Sequence, residues 1–204
     1  MLGDLMTDTP LVQHISKAEI NQLPMRQYDG PIHLIKTPAD AKRAAEKLLA
    51  SENLLGFDTE TRAAFRAGES YDPSVLQLAG ADEVFVFQIN LTGLIPELCE
   101  ILSSSNIIKT GVSIRDDVKE LRKLVPFDPA GFVELADIAK KAKIKNLGLR
   151  GMGALLLGFR ISKREQVSNW AKPELTPSQI SYAATDAWVG REIFLHMEQR
   201  GLVY

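Results

Sequence analysis

The stretch Leu54-Leu55-Gly56-Phe57-Asp58-Thr59-Glu60-Thr61 reads as a strand that runs from apolar into acidic residues. Alternate side chains of a strand point to opposite faces, so Asp58 and Glu60 share one face, and Leu55, Phe57 and Thr59 share the other. Two carboxylates ~4 Å apart at an effective dielectric of ~20 repel by about 4 kcal/mol. A divalent cation between them removes that cost, so the pair suggests a hard-metal site built from oxygen ligands. The plainer alternative is that both acids face water at a strand end, and further ligands decide between the two.

Two more stretches offer them. Ile114, Asp117, Val118, Leu121, Leu124 and Val125 form the buried stripe of an amphipathic helix, and Asp117 is its only polar member. Its neighbour Asp116 falls outward with Glu120 and Lys123, where the dipole of a helix N-terminus accounts for it. An inward carboxylate needs a partner, and a metal shared with Asp58 supplies one. Late in the chain, Tyr182 and Asp186 stand one turn apart on one helix face. Ala183, Ala184, Ala187 and Gly190 around them are small enough to let that helix lie close to a sheet.

The elements that must carry these groups are legible. Ile32–Ile35 reads as a first strand, and Thr37 caps a helix with Pro38 at its first position. That helix buries Ala41, Ala44, Ala45, Leu48 and Leu49 and delivers the chain into the Asp58 strand. A polar loop from Arg62 to Asp72 follows. Two strands, Val75–Ala79 and Val84–Ile89, then pair as a hairpin through Gly80–Glu83. A helix near Ile95–Leu102 and a strand Ile107–Thr110 precede the Asp117 helix, and from Ser113 onward the chain reads as mainly helical. Thr176 and Pro177 open the last long helix, which runs to about Gln199 before Gly201. Residues 1–27 show no sustained periodicity and are expected as a tail or arm, with one domain over 28–204. The fold class expected is α/β, a mixed sheet flanked by helices.

Composition is that of an ordinary globular chain, 45% hydrophobic and 25% charged. No apolar run approaches the ~20 residues of a membrane span, and the N-terminus has no basic signal region. Cys99 is the only cysteine, which excludes an internal disulfide and a cysteine-cluster zinc site. A cytoplasmic location without membrane partners is the expectation. Net charge is −2, yet Lys140, Lys141, Lys143, Lys145, Arg150, Arg160, Lys163 and Arg164 follow one another with no acid between Ile138 and Arg164. Such a stretch suits a phosphate backbone, with Lys163 and Arg164 as candidate nucleic-acid contacts, or else forms a solvated surface. His14, His33 and His196 fall in no motif and read as structural or surface residues. Gly151-Met152-Gly153 lacks the signature of a phosphate loop.

Taken together, D-x-E on a strand, an inward Asp early in a mid-chain helix and Y-x-x-x-D on a late helix resemble the DEDD superfamily of 3′–5′ exonucleases, in its tyrosine-bearing branch. The segment Lys163-Arg164-Glu165-Gln166-Val167-Ser168-Asn169-Trp170, with Glu174-Leu175-Thr176 and Tyr182–Ala187, looks most like the Werner-syndrome-type exonuclease domain. Ribonuclease D is a more distant likeness. The resemblance covers about Ile32 to Gln199 and implies a ribonuclease-H-like fold. No helicase motif accompanies it, so a freestanding exonuclease domain is expected. It implies Asp58, Glu60, Asp117, Tyr182 and Asp186 as the catalytic set, the four carboxylates being metal ligands. Relatives often carry Asn four residues before the second-motif Asp, where this chain has Ser113.

The chemistry implied is phosphodiester hydrolysis from the 3′ end with two divalent cations, Mg²⁺ or Mn²⁺. Asp58 would bridge the ions, Glu60 and Asp186 would complete one of them, and Asp117 would support the other through water. Tyr182, with an ordinary pKa of ~10, is a poor base but a good orienter of the attacking water. The expected partner is single-stranded or 3′-ended nucleic acid, DNA favoured over RNA. The alternatives are ribonuclease-D-like trimming of RNA, and an inactive nucleic-acid-binding or scaffolding module.

Overall fold

The computed structural model describes residues 12–66 and 68–203. Six strands form one sheet in the order β1-β4-β3-β2-β5-β6. They are β1 Ile32–Ile35, β2 Leu54–Thr61, β3 Pro73–Ala79, β4 Val84–Phe87, β5 Ile108–Gly111 and β6 Phe132–Glu134. β3 runs antiparallel to both of its neighbours, and every other pairing is parallel. With helices on both faces, this is the ribonuclease-H-like mixed sheet.

One face is closed by three helices, α2 Pro38–Ser51, α4 Pro96–Ser103 and α5 Ile114–Leu124. Ala41, Ala45 and Leu48 of α2 meet Leu55 and Phe57 of β2 in one core, together with Leu98, Ile101, Ile114 and Leu121. Thr37 caps α2 by accepting from the Asp40 amide at 3.2 Å. The short helix α3, Ile89–Thr92, joins β4 to α4 and takes residue 89, which the alternation had assigned to the strand.

The other face is covered by α8, Pro177–Gln199, which lies across β2, β3 and β5. A capping box starts it: Thr176 Oγ1 accepts from the Gln179 amide at 3.2 Å, and Gln179 Oε1 accepts from the Thr176 amide at 3.0 Å. Its small residues do what small residues allow. A Cβ on Gly56 would lie 1.9 Å from the Ala187 carbonyl oxygen, so only glycine lets α8 come this close to β2. Gly56 is two residues before Asp58, and Ala187 is the residue after Asp186. The close approach therefore falls where the carboxylates are.

Three further expectations differ from the structure. The region after Ser113 holds a sixth strand, β6, besides its helices α6 Leu135–Lys141 and α7 Leu149–Met152 and a π-helical turn at Gly153–Leu157. Three residues are too few for a period-two pattern to register. Residues 163–175 contain no helix, and Trp170 among them is fully buried in the cluster that holds Val75, Val86 and Ala183. The expected arm is also structured in part. Residues 1–11 of it lie outside the described residues, but Lys17–Gln22 forms helix α1, opened by a Ser16–Glu19 capping box. It is tied down by Asn146, whose side chain accepts from the Ile15 amide and donates to the Ile15 carbonyl, both at 2.9 Å. Further along, Met25 bridges to Arg160, with the Arg26 amide donating to the Arg160 carbonyl and the Arg160 amide to Pro24. A six-residue helix is too short to show periodicity, and its partners lie some 130 residues away in sequence.

Candidate active site

Asp58 and Glu60 leave the α8 face of β2, and Asp186 descends from α8 to meet them. One carboxylate oxygen from each lies within 4.8 Å of the others. Glu60 and Asp186 are buried and Asp58 is half-buried. A hard cation with oxygen ligands at ~2.0–2.6 Å fits among oxygens so spaced. Asp186 Oδ1 is buried without a hydrogen-bond partner, as an acceptor reserved for a cation would be. The cleft at this point, about 220 Å³, is lined by Asp58, Thr59, Glu60, Leu149, Gln166, Tyr182 and Asp186.

The electrostatics have the same origin. Burial, then the charges of Asp186 and Asp117, raise the Asp58 pKa well above the carboxylate range, against a bond from the Thr59 amide. Glu60 is pushed up to about 10 by burial and then by Asp58, Asp186 and Asp117. Asp186 rises to about 7 through burial, opposed by the Tyr182 hydroxyl and by the charge of Lys163. Tyr182 moves above its ordinary range, first by burial and then by Asp186, Glu60 and Asp58. Near neutral pH, without a cation, the group holds more protons than four free acids would. A divalent ion reverses that balance.

Asp117 reaches the cluster from the opposite side of the sheet. The phase of α5 is as read: Asp117 is half-buried and Asp116 exposed. Its Oδ1 accepts a 2.6 Å hydrogen bond from the Thr59 hydroxyl, while the Thr59 amide donates to Asp58 Oδ1 at 2.9 Å. Thr59 thus links the two aspartates, although it points to the other face of β2 from Asp58. Asp117 stands outside the three-carboxylate group. Burial raises it to about 6, with Thr59 opposing and Asp116 and Glu134 adding to the rise.

Glu134 is a positioning residue that sequence reasoning did not find. From the end of β6 its carboxylate accepts the Ser113 amide at 3.1 Å and the Ile114 amide at 3.0 Å. It therefore satisfies the first turn of α5 from outside the helix. Ser113 sits in the left-handed region at φ 64, where Asn is more at ease. Nothing local in the sequence marks Glu134, because its target lies on another element. The basic candidates also come near. Lys163 lines a cavity of about 250 Å³ that shares Gln166, Tyr182 and Asp186 with the acidic cleft. Arg164 lines one of about 500 Å³ on another side of Tyr182 and Asp186.

Known proteins bear on what such a site does. A family model described as 3′-5′ exonuclease matches residues 32–201. The bifunctional 3′-5′ exonuclease/ATP-dependent helicase WRN of Mus musculus is 29% identical over 89% of this chain. Ribonuclease D of Gluconacetobacter diazotrophicus is 29% identical over 82% of it. The chain spans 14% of the mouse relative's length and 42% of that ribonuclease D. Among solved structures, the Aedes aegypti Nibbler EXO domain superposes with a TM-score of 0.75 at 22% identity, covering 85% of this chain and 90% of that one. No helix among the described residues is long and apolar enough to cross a membrane. With its carboxylates gathered on a mixed sheet and the family match spanning nearly all of the described residues, the chain belongs to the 3′-5′ exonuclease family.

Proposed function

We propose that this chain removes nucleotides from the 3′ end of a nucleic acid by cation-dependent hydrolysis of the terminal phosphodiester. The observation that carries the reading is the meeting of three carboxylates, from β2 and α8, within 4.8 Å beside Tyr182. Asp58, Glu60 and Asp186 would hold one divalent ion, Mg²⁺ or Mn²⁺, and Asp58 with Asp117 a second. Bound there, a pair of such ions would activate water, orient the phosphate and offset charge on the departing 3′ oxygen.

The chain's own residues do the remainder. Tyr182, held protonated by burial and by the acids around it, donates a hydrogen bond and takes no proton. That suits it to orient the attacking water. Thr59 keeps Asp58 and Asp117 in register from opposite faces of the sheet. Lys163 and Arg164 flank Asp186 and Tyr182, where the strand's phosphates would pass. DNA is the first reading of the polymer, following the likeness to the Werner-type domain. RNA is the second, supported by the ribonuclease D relative.

The test is cleavage of 5′-labelled single-stranded and recessed DNA and RNA. A ladder descending from full length is expected with Mn²⁺ or Mg²⁺, and none with chelator. Undiminished cleavage after exhaustive chelation would rule out the cation mechanism. Tyr182→Phe is expected to lower kcat by about 10- to 100-fold, the worth of one hydrogen bond to a charged group, with substrate Kd nearly unchanged. Weaker binding at constant kcat would instead make Tyr182 a strand-holding residue.

A further inference from the structure

The acidic cleft does not end at Tyr182. Through Leu149, Gln166, Tyr182 and Asp186 it continues into the cavity beside Lys163. That cavity shares Arg150, Gly151 and Lys163 with a third, of about 280 Å³. The third cavity is different in kind. Lys17, Arg150 and Lys163 line it together with Asn21 and Asn146, and no carboxylate does. Among the described residues none of these three cations is in an ion pair. Arg150 Nη2 donates to Asn21 Oδ1 at 2.9 Å, but Arg150 Nε is buried with no acceptor. Lys17 and Lys163 are exposed and solvated, but a buried donor without an acceptor is costly, and an anion in the cavity would satisfy Arg150 Nε.

We propose that Lys17, Arg150 and Lys163 bind a phosphate of the substrate strand away from the scissile bond, so that helix α1 forms part of the substrate track. The proposal rests on reading the chain as an exonuclease. A strand whose terminal phosphodiester lies at Asp58 and Asp186 carries further phosphates that must leave along some groove. This groove offers three cations and no acid at its far end, whereas the larger cavity is lined by Glu165 as well as by Arg26 and Arg164. Residues 12–27 thus have a position to hold. Asn146 anchors the chain at Ile15, two residues before Lys17, and the Ser16–Glu19 box sets the turn that presents it.

The experiment measures binding of fluorescent single-stranded oligonucleotides of two and twelve residues in chelator, across a salt series. It compares wild type, Lys17→Gln, Lys17→Gln/Arg150→Gln and Arg43→Gln, the last a charge removed from the opposite face of the sheet. The double variant is expected to bind the 12-mer several-fold more weakly and to flatten its salt slope by about 1.4, two contacts at roughly 0.7 each for a single strand. Its loss on the dinucleotide should be smaller, and Arg43→Gln should change neither. Lys17 is exposed, so Lys17→Gln keeps the test intact if the double variant misfolds, with an expected slope change of about 0.7. An unchanged slope in folded Lys17→Gln, or equal losses at both lengths, overturns the proposal. So does inorganic phosphate raising the Tm of wild type but not of the variants while oligonucleotide binding is unaltered, which would assign the cavity to a free anion. If wild type cleaves with Mn²⁺ and the slopes do not move, the track alone is wrong. If the slopes move and wild type cleaves nothing, the exonuclease reading is wrong.

Discussion

Asp58→Asn is expected to lower single-turnover cleavage at saturating Mn²⁺ by about a thousandfold. Two unit charges ~4 Å apart at an effective dielectric of ~20 interact by about 4 kcal/mol, about half the attraction to a divalent ion at that distance, and each 1.36 kcal/mol is tenfold in rate. The same substitution should stabilise the protein without metal, because the cluster repels itself. The direction with pH follows from the raised carboxylates. Asp117 at about 6 and Asp186 at about 7 lie above the ~4 of an unfolded aspartate. Between those values the native state binds more protons than the unfolded one, so stability falls as pH rises through the window. In chelator, the wild-type Tm should therefore drop from about pH 4 through pH 7 and on towards about 10, the value of Glu60, and the drop should be shallower in Asp58→Asn. Mn²⁺ should raise the wild-type Tm more than the variant's. A variant that cleaves within tenfold of wild type, or melts lower in chelator at pH 7, would mean that Asp58 is not the centre of the charge cluster.

The neighbours Asp116 and Asp117 should separate sharply. Asp117 is half-buried and accepts from Thr59 at 2.6 Å, whereas Asp116 is exposed. Asp117→Asn is expected to cut the single-turnover rate by about a hundredfold, the upper range for groups that support a metal site, and to leave the fold intact. Asp116→Asn should cost no more than the charge at a helix terminus, ~0.3–1 kcal/mol of stability, with little change in rate. Thr59→Val should reproduce part of the Asp117→Asn defect, since it frees Asp117 without removing its charge. Melting temperature and rate at saturating Mn²⁺ check all three. A dead Asp116→Asn beside an active Asp117→Asn would place the working carboxylate on the outward face and undo the assignment.

What the chain's order of residues determined alone was whatever a local repeat controls. Period two placed Asp58 and Glu60 on one face of a strand, and helical phase told Asp117 from Asp116. The spacing of Tyr182 and Asp186 set them one turn apart, and Thr37 and Thr176 marked two helix starts by capping chemistry that acts within four residues. Only the tertiary structure could decide how near these groups come. Asp186 meets Asp58 because α8 lies so close on β2 that a Cβ at Gly56 would strike the Ala187 carbonyl. Asp117, expected to share a metal with Asp58, comes from the other face of the sheet and is held by Thr59, a contact between residues 58 positions apart. Glu134 caps a helix that begins 20 residues before it, on a strand too short to show any alternation. Helix α1 joins the basic cavity through Asn146, 131 residues beyond Ile15. Periodicity and capping are carried by neighbours in the chain, so they are written in its order. Convergence depends on which elements pack against which, and that is settled by the packing of α2, α4 and α5 on one face of the sheet and of α8 on the other.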